Sequence, residues 1–155
     1  MRELKRPYDW NRAMMEVAFT FSKLSKDPST KVGAVVVAPD KTSLSAGYNG
    51  FPKGFPDLEM WWNNRNPDEL EFCKYDLVNH AEANAILQAR TRLDGWTMYV
   101  THFPCLNCAK LIAQAGIKEV YYCLDQSNMN MSLDAEKVKR LFGLQGIKLE
   151  KLSVA

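Results

Sequence analysis

Four residues have the types and spacing to do chemistry together: His80, Glu82, Cys105 and Cys108. His80-Ala81-Glu82 opens one stretch predicted to be helical, and Pro104-Cys105 with Cys108 opens another. Cysteines three apart fall about one turn apart, so both sulfurs can face the same side of the helix start. The N–H groups and positive dipole end favour thiolate there, and thiolate is the form that binds metal. A neutral His80 adds a third donor. Three protein ligands leave the fourth position of a tetrahedral zinc open to water, which marks a catalytic ion rather than a structural one. Glu82 is not needed as a ligand. A carboxylate at that place can take a proton from water and hand one to a leaving amine.

The pattern H-x-E…P-C-x-x-C is that of zinc deaminases acting on C4 of cytosine or C6 of adenine. Two other classes use part of the same set. A structural zinc needs a fourth ligand from Cys73 or Cys123, but Cys123 lies in an apolar strand, Cys73 lies in an irregular loop, and Glu82 is left without a task. A thioredoxin-like redox protein also places C-x-x-C after a strand, and there His80 and Glu82 go unexplained. Stoichiometric zinc with loss of activity on chelation separates the deaminase from a protein with a titratable disulfide.

The elements that must position these residues follow from periodicity. Asp9 is suited to cap a helix whose apolar stripe is Met14, Val17, Ala18, Phe21 and Leu24, ending before Pro28. Residues 32–38 are apolar on both faces, as in a strand covered on both sides. Pro39-Asp40-Lys41 turns the chain into a hairpin partner over 44–48. Residues 49–78 lose periodicity and are predicted as a long loop, of the kind that is usually functional. Beyond it the spacing predicts helices over 81–92, 105–115 and 133–142, with strands over 97–101, 117–124 and 147–152. Such alternation gives an α/β sandwich with an antiparallel hairpin first and parallel strands after it.

The 155 residues fit a single domain spanning 1–155, with 46% hydrophobic and 25% charged residues to build one core. A formal charge of +2 and a pI near 8.3 do not give the basic face expected of a nucleic-acid binder, so no nucleic-acid partner is expected. Met1 to Arg6 lacks the apolar stretch of a secretory signal, and no run approaches the roughly 20 apolar residues of a membrane helix. Two isolated cysteines and one C-x-x-C read as an intracellular pattern, so a cytoplasmic protein is expected. If the substrate is a nucleotide, Lys26, Lys31, Arg65 and Lys74 are the candidate cations for its phosphate, and the sequence does not select among them.

Beyond the zinc motif, the chain resembles the deoxycytidylate deaminases of the cytidine deaminase superfamily. The resemblance rests on Ser25-Lys26-Asp27-Pro28 with Val32-Gly33-Ala34, on the G-Y-N-G-x-P-x-G run over 47–54, and on Lys74-Tyr75 before His80. Met98-Tyr99-Val100-Thr101, the segment 104–112 and Gly116-Ile117-Lys118-Glu119-Val120-Tyr121 extend it to about residue 125. The G-Y-N-G-x-P-x-G run separates the chain from tRNA adenosine, guanine and riboflavin-pathway deaminases. The resemblance implies a three-layer sandwich with a five-stranded mixed sheet flanked by helices, one Zn2+ per subunit, and conversion of dCMP to dUMP; dCTP or another cytosine nucleotide is the alternative substrate. It implies that Asn49 holds the deoxyribose, the backbone at Ala81 the base, and Phe103 one wall of the base pocket. It further implies a homo-hexamer activated by dCTP and inhibited by dTTP, with Mg2+ accompanying the triphosphates and Asn49, Gly50 and Lys53 at the effector site. With His80 and His102 as the two histidines, no second zinc is expected. Segments 58–71 and 125–132 depart from the family pattern.

Overall fold

The computed structural model describes residues 1–125 and 131–153; most of the divergent segment 125–132 lies outside them. Five strands, β1 (Gly33–Val37), β2 (Leu44–Tyr48), β3 (Thr97–His102), β4 (Glu119–Leu124) and β5 (Lys148–Lys151), form one sheet in the order β2-β1-β3-β4-β5. β1 is antiparallel to both β2 and β3, whereas β3, β4 and β5 run parallel, so the hairpin-then-parallel expectation holds. No helix among the described residues is long and apolar enough to cross a membrane.

Alternation along the strands divides the interior into two cores. Val35, Val37, Tyr99 and Tyr121 point to one face, against Met14, Met15 and Ala18 of α1 (Trp10–Ser22). Ala34, Val36, Met98, Val100 and Val120 point to the other, against three helices. These are α4 (Ala81–Ala89), α5 (Leu106–Ala115) and α6 (Met131–Gln145). β1 is buried at all five positions because both its faces are covered, which is why it reads as one unbroken apolar run.

Two glycines set how closely the helices approach. A Cβ at Gly33 would lie 1.9 Å from the Ala18 carbonyl oxygen, and one at Gly47 would lie 2.5 Å from the Ala85 amide nitrogen. α1 and α4 therefore rest on bare strand backbone, and α4 brings Glu82 with it.

The departures from expectation have local causes. α1 turns Met15, Ala18 and Ser22 inward, and Leu24 falls beyond the helix end, where it is exposed. α4 stops at Ala89 because Arg90 takes a left-handed conformation (φ 55°), which turns the chain so that Leu93 and Trp96 reach the core. The stretch 49–78 is not a bare loop. It contains α2 (Glu59–Asn63) and α3 (Lys74–Leu77), packed through Phe51 stacked on Trp62 at 3.9 Å and through Phe55, Trp61 and Phe72 in edge and tilted contacts.

Gly33→Ala is expected to cost about 3 kcal/mol or more, since two backbones would have to separate. Gly143→Ala, in α6 with open space around it, is expected to gain about 0.5–1 kcal/mol. Urea unfolding of the two variants checks both signs, and equal midpoints would contradict the packing described.

Candidate active site

The two predicted halves of the site meet at helix starts. His80 is the N-cap of α4 and Cys105 the N-cap of α5, both in extended conformation. His80 is fixed from behind by a bridge between Asn79 and Gly50, with N–H to O distances of 2.7 and 3.0 Å in the two directions. Cys105 is delivered by β3, after Phe103, whose N–H donates to the Leu124 carbonyl. Cys108, one turn into α5, donates its backbone N–H to the Cys105 sulfur at 3.5 Å.

His80 Nδ1 lies 3.2 Å from Cys108 Sγ and 3.5 Å from Cys105 Sγ. A tetrahedral zinc with bonds of about 2.0–2.1 Å to nitrogen and 2.3 Å to sulfur spaces its donors roughly 3.5–3.8 Å apart. The donor set and its spacing therefore fit zinc, with a small relaxation at Cys108. Neither Cys73, buried at the start of α3, nor Cys123, in β4, joins the group among the described residues. The structural-zinc alternative thus lacks its fourth ligand.

The electrostatics of the three donors are coupled. The Cys108 thiol donates to Cys105 and, with His80, pushes the Cys105 thiol down to about 4. Cys108 is held protonated by that same hydrogen bond and by burial. The two sulfurs share one proton, and a divalent cation would take its place. His80 is raised by the Cys105 thiolate beside it. Glu82, 4% exposed in the first turn of α4, is raised chiefly by burial, opposed by His80 and by a hydrogen bond from Cys108. Burial and these two contacts therefore act in opposite directions on the proton affinity of a carboxyl beside the three donors.

The other expected contacts are distributed around this centre. Ala81 is fully buried behind His80, and Phe103 is buried edge-on to Tyr122 with centroids 4.9 Å apart. Asn49 is buried, and its side chain is engaged with Val32, Thr30 and Asp27. Gly50 carries the bridge to Asn79, and Lys53 is exposed in the turn that follows. Of the four phosphate candidates, Lys26 pairs with Asp57 at 2.7 Å, and Lys74 is turned inward to Asp27, also at 2.7 Å. Lys31 donates to the Ser25 carbonyl and Arg65 to the Ser29 hydroxyl, and among the described residues neither has a carboxylate partner.

Two carboxylates with structural weight escaped the sequence reading. Asp134 of α6 accepts from the Leu106 N–H at 3.2 Å, fixing the peptide next to Cys105. Asp27 lies in a quoted motif, yet periodicity assigns it only to a helix end. Leu106, the partner of Asp134, and Asn49 and Lys74, the side-chain partners of Asp27, are distant in the chain, so local spacing does not signal these contacts.

A family model for the cytidine and deoxycytidylate deaminase zinc-binding region matches residues 8–124. The deoxycytidylate deaminase of Homo sapiens is 40% identical over 144 residues, covering 92% of this chain and 79% of that one. The deoxycytidylate deaminase of Mus musculus is 40% identical over 146 residues, with 94% and 80% covered. The crystal structure of dCMP deaminase from cyanophage S-TIM5 in complex with dCMP and dUMP superimposes with a TM-score of 0.72 at 32% identity, covering 96% of this chain and all of that one.

Zinc binding to the metal-free protein should release protons, because His80 and the shared thiol proton must be displaced. With the His80 pKa raised, this competition extends above the ordinary imidazole range, and affinity should fall by about tenfold or more per unit of falling pH there. Calorimetry in two buffers of different ionisation enthalpy counts the protons; binding without proton release would contradict the donor assignment. Cys105→Ala and Cys108→Ala should each abolish stoichiometric zinc, read by metal analysis.

Proposed function

The chain belongs to the cytidine and deoxycytidylate deaminase family, and we propose that it is a cytoplasmic enzyme that hydrolyses dCMP to dUMP with release of ammonia. The observation that carries this reading is a buried Glu82, hydrogen-bonded by Cys108, beside a His-Cys-Cys donor triangle. Zinc held by His80, Cys105 and Cys108 would supply the Lewis acid that makes water nucleophilic near neutral pH.

The remaining work falls to the chain itself. Glu82 takes a proton from the attacking water as its oxygen bonds to C4, and delivers that proton to N3. It takes the second water proton and gives it to the amine as the C4–N bond breaks. Water oxygen becomes the new carbonyl, and ammonia leaves with both electrons of the broken bond as its lone pair. Phe103 and the backbone at Ala81 hold the base against Glu82, and Asn49 meets the deoxyribose. Lys31 and Arg65, which have no carboxylate partner among the described residues, are the cations for the phosphate.

The same reading includes a homo-hexamer activated by dCTP and inhibited by dTTP, bound with Mg2+ through Asn49, Gly50 and Lys53. Its support is mechanical: Gly50 is bridged to Asn79, one residue from His80, so displacement of the 49–54 segment reaches a metal ligand. An effector that favours one arrangement by about 1–3 kcal/mol is sufficient.

Glu82→Gln is expected to keep stoichiometric zinc while losing at least roughly 10²–10⁴-fold in kcat. Metal analysis with an ammonia-release assay decides it, and substantial retained turnover would remove Glu82 from the reaction. For regulation, dCMP kinetics should be sigmoidal, made hyperbolic by dCTP and opposed by dTTP. Hyperbolic kinetics indifferent to both triphosphates would exclude the effector site and leave the catalytic assignment intact.

A further inference from the structure

Asp27 is 2% exposed and lies at the centre of a polar cluster. Its Oδ1 accepts from the backbone N–H groups of Ser29 (2.8 Å) and Thr30 (3.2 Å) and from Lys74 Nζ (2.9 Å). Its Oδ2 accepts from Lys74 Nζ at 2.7 Å and from Asn49 Nδ2 at 3.3 Å. Asn49 Nδ2 also donates to the Thr30 carbonyl at 2.9 Å, while Asn49 Oδ1 accepts from the Val32 N–H at 2.9 Å.

These contacts allow one orientation of the Asn49 carboxamide. Flipped, it would set its oxygen against the Asp27 carboxylate and the Thr30 carbonyl, and its NH2 against the Val32 N–H. Both NH2 hydrogens are engaged, whereas Oδ1 has two lone pairs and gives one to Val32. Asn49 can therefore meet a ligand only as an acceptor, from a group that donates. Asn49 and Gly50 border the centre, since Gly50 pairs with Asn79 immediately before His80.

We propose that Asp27 is a positioning residue for substrate selection: it locks the Asn49 carboxamide so that Oδ1 receives the 3′-hydroxyl of the substrate sugar, with Lys74 as its counter-charge rather than a phosphate ligand. This inference rests on the reading of Asn49 given above. A hydroxyl recognised by a buried, oriented acceptor is selected strongly, because its removal leaves that acceptor unpaired.

The test compares kcat/KM for dCMP and for its 3′-deoxy analogue, 2′,3′-dideoxycytidine monophosphate. The wild-type protein should prefer dCMP by roughly ten- to hundredfold. Asp27→Asn sets an NH2 against the Asn49 NH2, which repels the amide from the place where the Thr30 carbonyl and the Val32 N–H hold it, so the preference should collapse towards unity. Because that single variant leaves Lys74 buried without its counter-charge, the double variant Asp27→Asn with Lys74→Met is read alongside it and should show the same collapse. A folded variant that keeps the wild-type preference overturns the proposal, as does free solvent exchange of the Asn49 side-chain NH2 in wild-type protein, followed by 15N NMR. A wild-type protein that does not deaminate dCMP overturns instead the function on which the proposal rests.

Discussion

Two sulfurs lie 3.2 and 3.5 Å from one imidazole nitrogen at the junction of two helix starts, donors too close together to carry their charges without a cation among them. Everything nearby serves to keep those starts together. α4 rests on the bare backbone at Gly47, Asn79 is bridged to Gly50, and α6 fixes the peptide beyond Cys105 through Asp134. Because each tether is a backbone contact or a hydrogen bond to backbone, the donor geometry depends on the sheet rather than on flexible side chains.

The same junction makes a buried carboxyl tolerable. Glu82 sits in the first turn of α4, where helix N–H groups favour negative charge, yet burial raises its pKa. Burial and the helix start, with His80, thus act on this carboxyl in opposite directions. Asp27 is a second buried carboxylate, saturated by N–H groups and a lysine, and it ties the turn that follows it to Asn49 and Lys74.

The meeting of His80, Cys105 and Cys108 near Glu82 was legible in the sequence because these residues occupy fixed offsets at helix starts, where spacing translates directly into position. The sheet was legible for a similar reason: β1 is apolar at every position because it is covered on both faces, and Gly116 marks the end of α5 in left-handed conformation. The aromatic cluster of Phe51, Phe55, Trp61, Trp62 and Phe72 was not, since its members follow no helical or strand period and meet only through the tertiary path of the loop. Asp27 was hidden for a related reason. Its partners Asn49 and Lys74 lie 22 and 47 residues away, and pairing of buried charges leaves no local pattern. Arg90 is a third case, a helix stop in left-handed conformation without glycine, imposed by the need to bury Leu93 and Trp96.

The central claim is that a zinc-loaded His80-Cys105-Cys108 centre with Glu82 deaminates a cytosine monophosphate. The most direct measurement is ammonia release from cytidine, deoxycytidine, dCMP, dCTP and single-stranded DNA, using zinc-loaded and zinc-stripped protein side by side. The account predicts that dCMP is turned over fastest, that dUMP and ammonia form in equal amounts, and that stripping the metal abolishes the reaction until zinc is restored. Release of ammonia by the stripped protein, faster turnover of dCTP than of dCMP, or no release from any cytosine compound would contradict it.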